Sequence, residues 1–362
     1  MSDGNGPEPE VSQSISENAD RPAPAISVLI VNYNAGPHLA PAVRALAAQS
    51  CADFEAIVVD NASSDDSLAA ARSAVAGDAR FVFKQADANL GFAAGNNLAA
   101  TMARGAWLAL LNPDAVPARD WLDQLIAGAK RHPDTIMFGS TQVDAVAPER
   151  LDGAGDHYLA IGLPWRGGYG WPLAVLPAEG DVFSPCAAAA LIRADAFHAV
   201  GGFDERFFCY VEDVDLAFRL RLQGHRCIQV PSAIVRHVGG ASSSGKGSAF
   251  ARRYGTRNLI WCFVKCMPPP LFWPLLSLHL LALLFLFARA LANGVARPVW
   301  GGIVAALSDM RPIWASRRAL QRERRVSSRR IASSFTWNPI VYARRMPRVL
   351  GPVGKTEHRE GE

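Results

Sequence analysis

Three apolar runs set the frame of this chain. Residues 26–31, 54–59 and 106–111 are continuous stretches of strand length rich in Val, Ile, Leu and Ala. Mainly apolar runs of this length, broken only by Ser27 and Glu55, predict parallel strands covered on both faces. Each ends in polar residues: Asn32 and Asn34, Asp60 and Asn61, Asn112 and Asp114. Between them Leu39, Val43 and Leu46 mark one face of a helix, and residues 67–76 are Ala-rich and helical. A short strand is predicted at 81–84 and a helix running from near Gly95 over 98–104. Leu122, Leu125, Ile126 and Ala129 mark a further helix, followed by strands at 136–139, 187–193 and 227–230. Alternating strands and helices predict a doubly wound, mainly parallel α/β sheet with helices on both faces. Open sheets of this kind bind ligands at the carboxyl ends of their strands, so the polar ends define one site.

A second pattern lies downstream. Glu212, Asp213 and Asp215 fall close together behind the aromatic stretch Phe207-Phe208-Cys209-Tyr210. Leu216 and Leu220, spaced i and i+4, predict an amphipathic helix that starts at the acids, as a helix dipole favours. A carboxylate projecting from an apolar wall has a raised pKa and can take a proton from a hydroxyl. The stretch therefore predicts a general base at the mouth of a pocket.

Six motifs occur in order: Val31-Asn32-Tyr33-Asn34, Val59-Asp60-Asn61-Ala62-Ser63, Asn89 to Asn97, Leu111-Asn112-Pro113-Asp114, the segment 201–219, and His237-Val238-Gly239-Gly240-Ala241-Ser242. Together they resemble an inverting glycosyltransferase of family 2 with the GT-A fold, over roughly residues 25 to 260. The rhamnosyltransferase-like branch that builds bacterial surface polysaccharides is the nearest match. The resemblance implies transfer of a sugar, with inversion, from a nucleotide-sugar donor to a lipid-linked or polysaccharide acceptor. L-Rhamnose is the first expectation for the sugar, with UDP- and GDP-sugars open. Asp213 is the expected base and Glu212 its alternative; Asp215 is expected to cap or orient the helix. Asp60 is expected on the base or ribose, or else as a turn former before Asn61. Asn32 and Asn34 are expected beside the same groups. Asn89, Gly91, Gly95 and Asn97 form a loop into a helix start where small residues admit backbone N–H groups to the nucleotide. Asp114 is expected to hold Mg²⁺ or Mn²⁺ against the charge of the departing diphosphate, with His237 joining the metal or touching the diphosphate. Asn112 stands where the family often has a carboxylate, so it is expected to bond the ribose or ligate weakly. Cys186-Ala187 replaces the family's usual Gly-Ala. Two other readings are a polyprenyl-phosphate sugar synthase, against which the acidic motif argues, and a non-catalytic membrane scaffold.

Composition adds the outer parts. With 362 residues, 50% of them hydrophobic, and a net charge of +4, the chain has room for a catalytic domain over 25–254 and a helical region over 255–350. Tails at 1–24 and 351–362 read as disordered. No basic, apolar leader opens the sequence, so the catalytic part is expected to stay in the cytosol, at the cytoplasmic face of the inner membrane. Residues 271–288 carry no formal charge and are long enough to cross a bilayer, though Pro274 and His279 interrupt them. The arginines from Arg317 to Arg330 suit anionic lipid. The region is expected to span the membrane or lie in its interface, with a buried helical hairpin as the alternative. Residues 145–180, rich in Gly, Pro and Trp, read as a long loop whose aromatics either stack on sugar or lipid acceptor or simply pack. None of the six cysteines forms a CxxC pair, so reduced thiols are expected, and Cys262 with Cys266 lacks the partners of a metal site. The run from Gly240 to Lys246 nearly spells a phosphate-binding loop, but Gly247 stands where Ser or Thr is needed. A lid carrying Lys246 is expected there instead, and nothing in the chain calls for nucleic acid.

Overall fold

The computed structural model describes residues 22–239 and 247–351. The disordered tails and the Lys246 lid expected from the sequence lie outside these residues, apart from positions 22–24 and 351. The chain opens β1 (Ile26–Asn32), α1 (Leu39–Ala47), β2 (Phe54–Asp60), α2 (Ser67–Ala74), β3 (Phe81–Gln85), α3 (Gly91–Met102) and β4 (Trp107–Leu111). All seven residues of β1 and of β2 are buried. Leu39, Val43 and Leu46 of α1 pack under them in one apolar cluster. β1 pairs in parallel with β2 and β4, so that Asn32 sits directly beside Asp60. Three of the polar strand ends therefore meet on one edge.

After β5 (Ala115–Pro117), α4 (Trp121–Arg131) and β6 (Met137–Asp144) come β7 (Leu151–Gly153), β8 (Asp156–Leu159), β9 (Leu163–Arg166) and β10 (Gly180–Val182). Then follow β11 (Ala189–Arg193), α5 (Ala194–Ala199), α6 (Glu212–Leu222) and β12 (Cys227–His237). The main sheet runs β10-β12-β6-β11-β4-β1-β2-β3. β11 lies antiparallel between β4 and β6, which makes the sheet mixed where its apolar sequence alone reads as one more parallel strand.

Two expectations change here. Residues 145–180 are not one loop: β8 and β9 form a hairpin, and Tyr158 on it is fully buried, stacked on Phe183 and edge-on to Phe218. Its aromatics found core partners that the sequence could not reveal. Nor is α6 one-sided. Leu216, Ala217 and Leu220 face the sheet, while Val214, Phe218 and Leu222 face a second apolar cluster built by the C-terminal helices.

Those helices are α7 (Ala249–Cys266), α8 (Pro269–Ala292), α9 (Ala296–Ser308), α10 (Met310–Arg322), α11 (Ser328–Ser333) and α12 (Pro339–Ala343). The division drawn between 254 and 255 passes through α7. That helix packs on α6, so the C-terminal region shares a core with the acidic segment. Arg317, grouped by sequence with lipid-facing arginines, is buried. Its guanidinium donates to the carbonyls of Val264 and Met267 at the end of α7 and lies over Phe272.

Candidate active site

Two adjoining cavities open at the carboxyl ends of β1, β2 and β4. The larger, about 910 Å³, is lined by Tyr33, Asn61, Asn89, Gly91, Asn112, Asp114 and His237 among others. The smaller, about 400 Å³, holds Asp156, Cys186, Glu212 and Asp213. Phe92, Asn112, Arg166, Cys209 and Tyr210 line both, so the two spaces share a wall.

At the base of the larger cavity stands His237, the last residue of β12. Its Nδ1 is 2.8 Å from Asp152 Oδ2, and its Nε2 is 3.3 Å from both Asp114 Oδ1 and the Asn112 amide. With the Nδ1 proton given to Asp152, Nε2 is directed at Asp114 and Asn112. Burial draws the His237 pKa down, but the carboxylates of Asp114 and Asp152 outweigh it and leave the value raised. Asp152 also accepts from Arg166 at 2.7 Å. Asp114 is buried, and Asn112 Oδ1 is buried without a hydrogen-bond partner among the described residues. A carboxylate, an imidazole nitrogen and an idle amide oxygen form a donor set that suits a hard divalent cation.

The other strand-end residues divide. Asp60 is fully buried and turned inward. Its Oδ1 accepts from Asn32 at 2.7 Å and from the Ser63 hydroxyl at 2.6 Å, and its Oδ2 accepts from the Ser63 N–H. Asn34, at φ 48°, accepts from the Ser64 N–H. Neither Asp60, Asn32 nor Asn34 is among the residues that line the cavities; Asn61 and Tyr33, their neighbours, do. Asn89 accepts from the Gly91 N–H and lines the larger cavity. Gly91 opens α3 at φ +80°, where a Cβ would lie 2.5 Å from the Phe208 ring. Gly95 lies inside α3, and a Cβ there would meet Val31 at 2.7 Å, so its smallness seats the helix on β1. Asn97 reaches away from the cavity to Phe203 and Glu205, tying α3 to the segment before the acids.

That segment is strained. Phe208, Tyr210 and Val211 have φ of 64°, 71° and 69°, a region that bulky and β-branched residues avoid. Asn258 of α7 holds them there: its amide nitrogen reaches the carbonyls of Phe207, Cys209 and Tyr210 at 2.9, 2.9 and 2.7 Å. The chain then enters α6 with Glu212 and Asp213 at its first turn. Asp213 Oδ2 accepts from the Ala187 N–H at 3.1 Å and Oδ1 from the Val214 N–H at 2.8 Å. Burial pushes the Asp213 carboxyl up, against those two N–H groups and Arg166. Burial, then the Asp213 charge, pushes Glu212 well up, and Glu212 Oε2 has no partner among the described residues. Asp215 does not cap the helix. It is paired with Arg219 at 2.8 Å and with Lys265 of α7 at 2.9 Å, which orients α6 against α7. Cys262 and Cys266 lie beside it, buried, in a space Lys265 already occupies.

Comparison with known proteins accords with this geometry. The model of glycosyl transferase family 2 matches residues 27–201. An N-acetylglucosaminyl-diphospho-decaprenol L-rhamnosyltransferase of Mycobacterium tuberculosis is 30% identical over 245 residues, 62% of this chain and 79% of that protein. The chain belongs to glycosyltransferase family 2. An O-antigen biosynthesis protein, RfbC, of Myxococcus xanthus is 30% identical to this glycosyltransferase over 239 residues, 61% of the chain but 18% of that longer protein. Among solved structures, a mannosyltransferase from Pyrobaculum calidifontis in complex with GDP-Man and Mn²⁺ superposes with a TM-score of 0.52 at 18% identity, covering 90% of this chain and 93% of that one. GalNAc-T7 with UDP, GalNAc and Mn²⁺ gives 0.53 at 16% identity, over 66% of this chain and 48% of that one. These likenesses establish the GT-A fold of the glycosyltransferase.

Sequence reasoning missed Asp152, Asp156, Arg166 and Asn258. The first three fall in the stretch read as a loop, and Asn258 sits in a helix assigned to another part of the molecule. The alternation of Asp156, Tyr158 and Leu159 with Leu163, Trp165 and Arg166 across a Gly turn was the available hairpin signal.

Proposed function

We propose that this glycosyltransferase moves a sugar, with inversion, from a nucleotide-sugar donor to a lipid-linked acceptor in bacterial cell-envelope glycan synthesis. L-Rhamnose is the first candidate for the sugar. The observation that carries this reading is the shared wall: a strand-end cavity with a cation-type donor set shares lining residues with a second cavity holding Asp213 and Glu212. The donor occupies the larger space, with Asn89, Asn61 and the start of α3 on its nucleoside side. Asp114 and His237, with Asn112, would hold Mg²⁺ or Mn²⁺. Such a cation neutralises charge on the departing diphosphate. The acceptor occupies the smaller space. Asp213 takes the proton of its attacking hydroxyl. The new bond forms from that oxygen to the anomeric carbon as the bond from that carbon to the β-phosphate oxygen breaks, which inverts the centre. Glu212, whose Oε2 has no partner among the described residues, is the alternative base.

A lipid-linked acceptor is supported by the far end of the smaller cavity, which is apolar: Leu163, Trp165, Leu259, Leu286 and Tyr342. Membrane contact is supported by α8. Its buried residues, Phe272, Leu275, His279 and Ala290, fall on one side, with His279 stacked on Phe263 and bonded to the Ile161 carbonyl. On the other side Trp273, Leu278, Leu280, Leu281, Leu284, Phe285 and Leu291 are 47–66% exposed. A helix with one packed side and one exposed apolar side suits the cytoplasmic-side membrane interface, and its length and apolarity also allow a crossing.

The test is a screen of dTDP-, UDP- and GDP-sugars with Mg²⁺ or Mn²⁺ by thermal shift, followed by transfer to a prenyl-diphosphate-linked sugar and NMR of the product anomer. Stabilisation by one nucleotide family and a product of opposite anomeric configuration are expected. Retained configuration would rule the single displacement out.

A further inference from the structure

The hairpin of β8 and β9 delivers a group to the smaller cavity that neither the base nor the cation site uses. Asp156 opens β8. Its backbone is fixed on both sides, donating to the Ser184 carbonyl at 2.8 Å and accepting from the Ser184 N–H at 3.1 Å. The next two residues, His157 and Tyr158, are fully buried. The position is therefore rigid. Its side chain is 7% exposed and lines the smaller cavity. No donor among the described residues hydrogen-bonds its carboxyl group, although Arg166 is near: that guanidinium donates to Asp152 and to Cys186 Sγ. Carboxyl oxygens of Asp156 and Asp213 lie, with Cys186 Sγ, within 4.8 Å of one another. Glu212 Oε2, buried and unpartnered, lines the same space.

Buried carboxyl groups without partners are costly, so the arrangement is kept for what enters the cavity. A second cation is a poor match. Burial pushes the Cys186 thiol up to about 12, so it keeps its proton, and Arg166 already brings positive charge to the spot. A phosphate is a poor match to three acids. A ring carrying several hydroxyl groups suits them: each hydroxyl donates to one carboxyl oxygen and accepts from any that holds a proton.

We propose that Asp156 is an acceptor-binding residue that grips a hydroxyl next to the one attacked, and so selects which hydroxyl reaches Asp213. This rests on reading the smaller cavity as the acceptor site. Sites built to bond a substrate hydroxyl reject analogues that lack it far more strongly than apolar pockets reject a missing methylene.

The probes are N-acetylglucosamine joined through diphosphate to a short prenyl chain, and its three monodeoxy forms. Binding is read by calorimetry on the full-length protein with the stabilising nucleoside diphosphate present, where no turnover occurs. In wild type, removal of one particular hydroxyl should weaken binding at least about 30-fold. In Asp156→Ala the same removal should cost under threefold, because the partner is gone, while nucleotide affinity stays within twofold. Asp156→Asn, which keeps the shape, should fall between and guards against a folding defect in the alanine variant. Where donor is turned over, kcat/KM should follow the same pattern. Wild-type discrimination retained in both variants overturns the proposal. So does a wild-type protein that binds nucleotide and acceptor but ignores every deoxy change, and that result leaves the glycosyltransferase reading standing. Failure to bind any sugar nucleotide would instead sink that reading.

Discussion

At the scale of single residues the site separates chemistry from binding. Asp213 should matter only once both substrates are in place. Asp213→Asn is expected to lower transfer about 1000-fold and leave sugar-nucleotide affinity within twofold, measured by kinetics and calorimetry on the same preparations. Because burial raises the Asp213 carboxyl, kcat should rise with pH through a limb above the ordinary carboxylate range. A flat acid limb would count against Asp213 as base. The donor side makes a different claim. Asp152 lines neither cavity and holds the His237 Nδ1 at 2.8 Å, so it would act on a cation through His237. Asp152→Asn should weaken Mn²⁺-dependent donor affinity about 10- to 100-fold and leave free nucleoside affinity unchanged. Equal loss of both would make Asp152 merely structural. His157 offers a stability test away from the chemistry. Both of its ring nitrogens are buried without partners among the described residues, and burial pulls its pKa to about 3 from the usual 6.5. The unfolded chain thus binds more protons than the folded one between those values, and stability falls as pH drops through that window. About 2 kcal/mol should be lost between pH 7 and pH 5, and His157→Phe should lose less, read from urea midpoints.

At the scale of elements, α7 holds the strained approach to α6. Three left-handed non-glycine residues persist because Asn258 fixes the carbonyls around them. Asn258→Leu is expected to cost about 2–3 kcal/mol of stability and to lower kcat at least tenfold with little change in donor affinity. Urea unfolding and saturating-donor kinetics would check both, and an unchanged kcat would show that the strain is not needed for turnover. This dependence also marks where reading the sequence reached its end. β1, β2 and β4 were legible because each is a mainly apolar run followed by Asn or Asp. Asp114 and His237 were legible from the family motifs, and they do face each other. Asp60, Asn32 and Asn97 lay in the same motifs, yet Asp60 and Asn32 bond each other and nearby serines, and Asn97 bonds Phe203 and Glu205. Motif membership cannot show which way a side chain turns. The β8–β9 hairpin, and Asp152, Asp156 and Arg166 with it, was hidden because Gly and Pro break the period while long-range packing of Tyr158 on Phe183 and Phe335 restores order. Asn258 was hidden by distance along the chain: the nearest of the three carbonyls it holds, that of Tyr210, lies 48 residues away.

At the scale of the whole molecule, the catalytic sheet and the C-terminal helices are built on one core through α6 and α7. Deleting residues 255–351 should therefore destroy the fold rather than free a soluble domain, and a cooperative melt of the truncated chain would contradict this. The exposed apolar side of α8, with exposed Arg318, Arg322, Arg325, Arg329 and Arg330 further along, suits a membrane interface. The full-length protein should sediment with membranes at low salt and be released by alkaline carbonate. Retention after carbonate would mean a crossing helix, and free solubility at low salt a packed lobe. Leu286 belongs both to α8 and to the lining of the smaller cavity. If the outer side of that helix rests in lipid, the acceptor is drawn from a two-dimensional solution. The rate should then follow the mole fraction of acceptor within the bilayer. Adding inert vesicle lipid at constant total acceptor should slow the enzyme, and adding buffer should not.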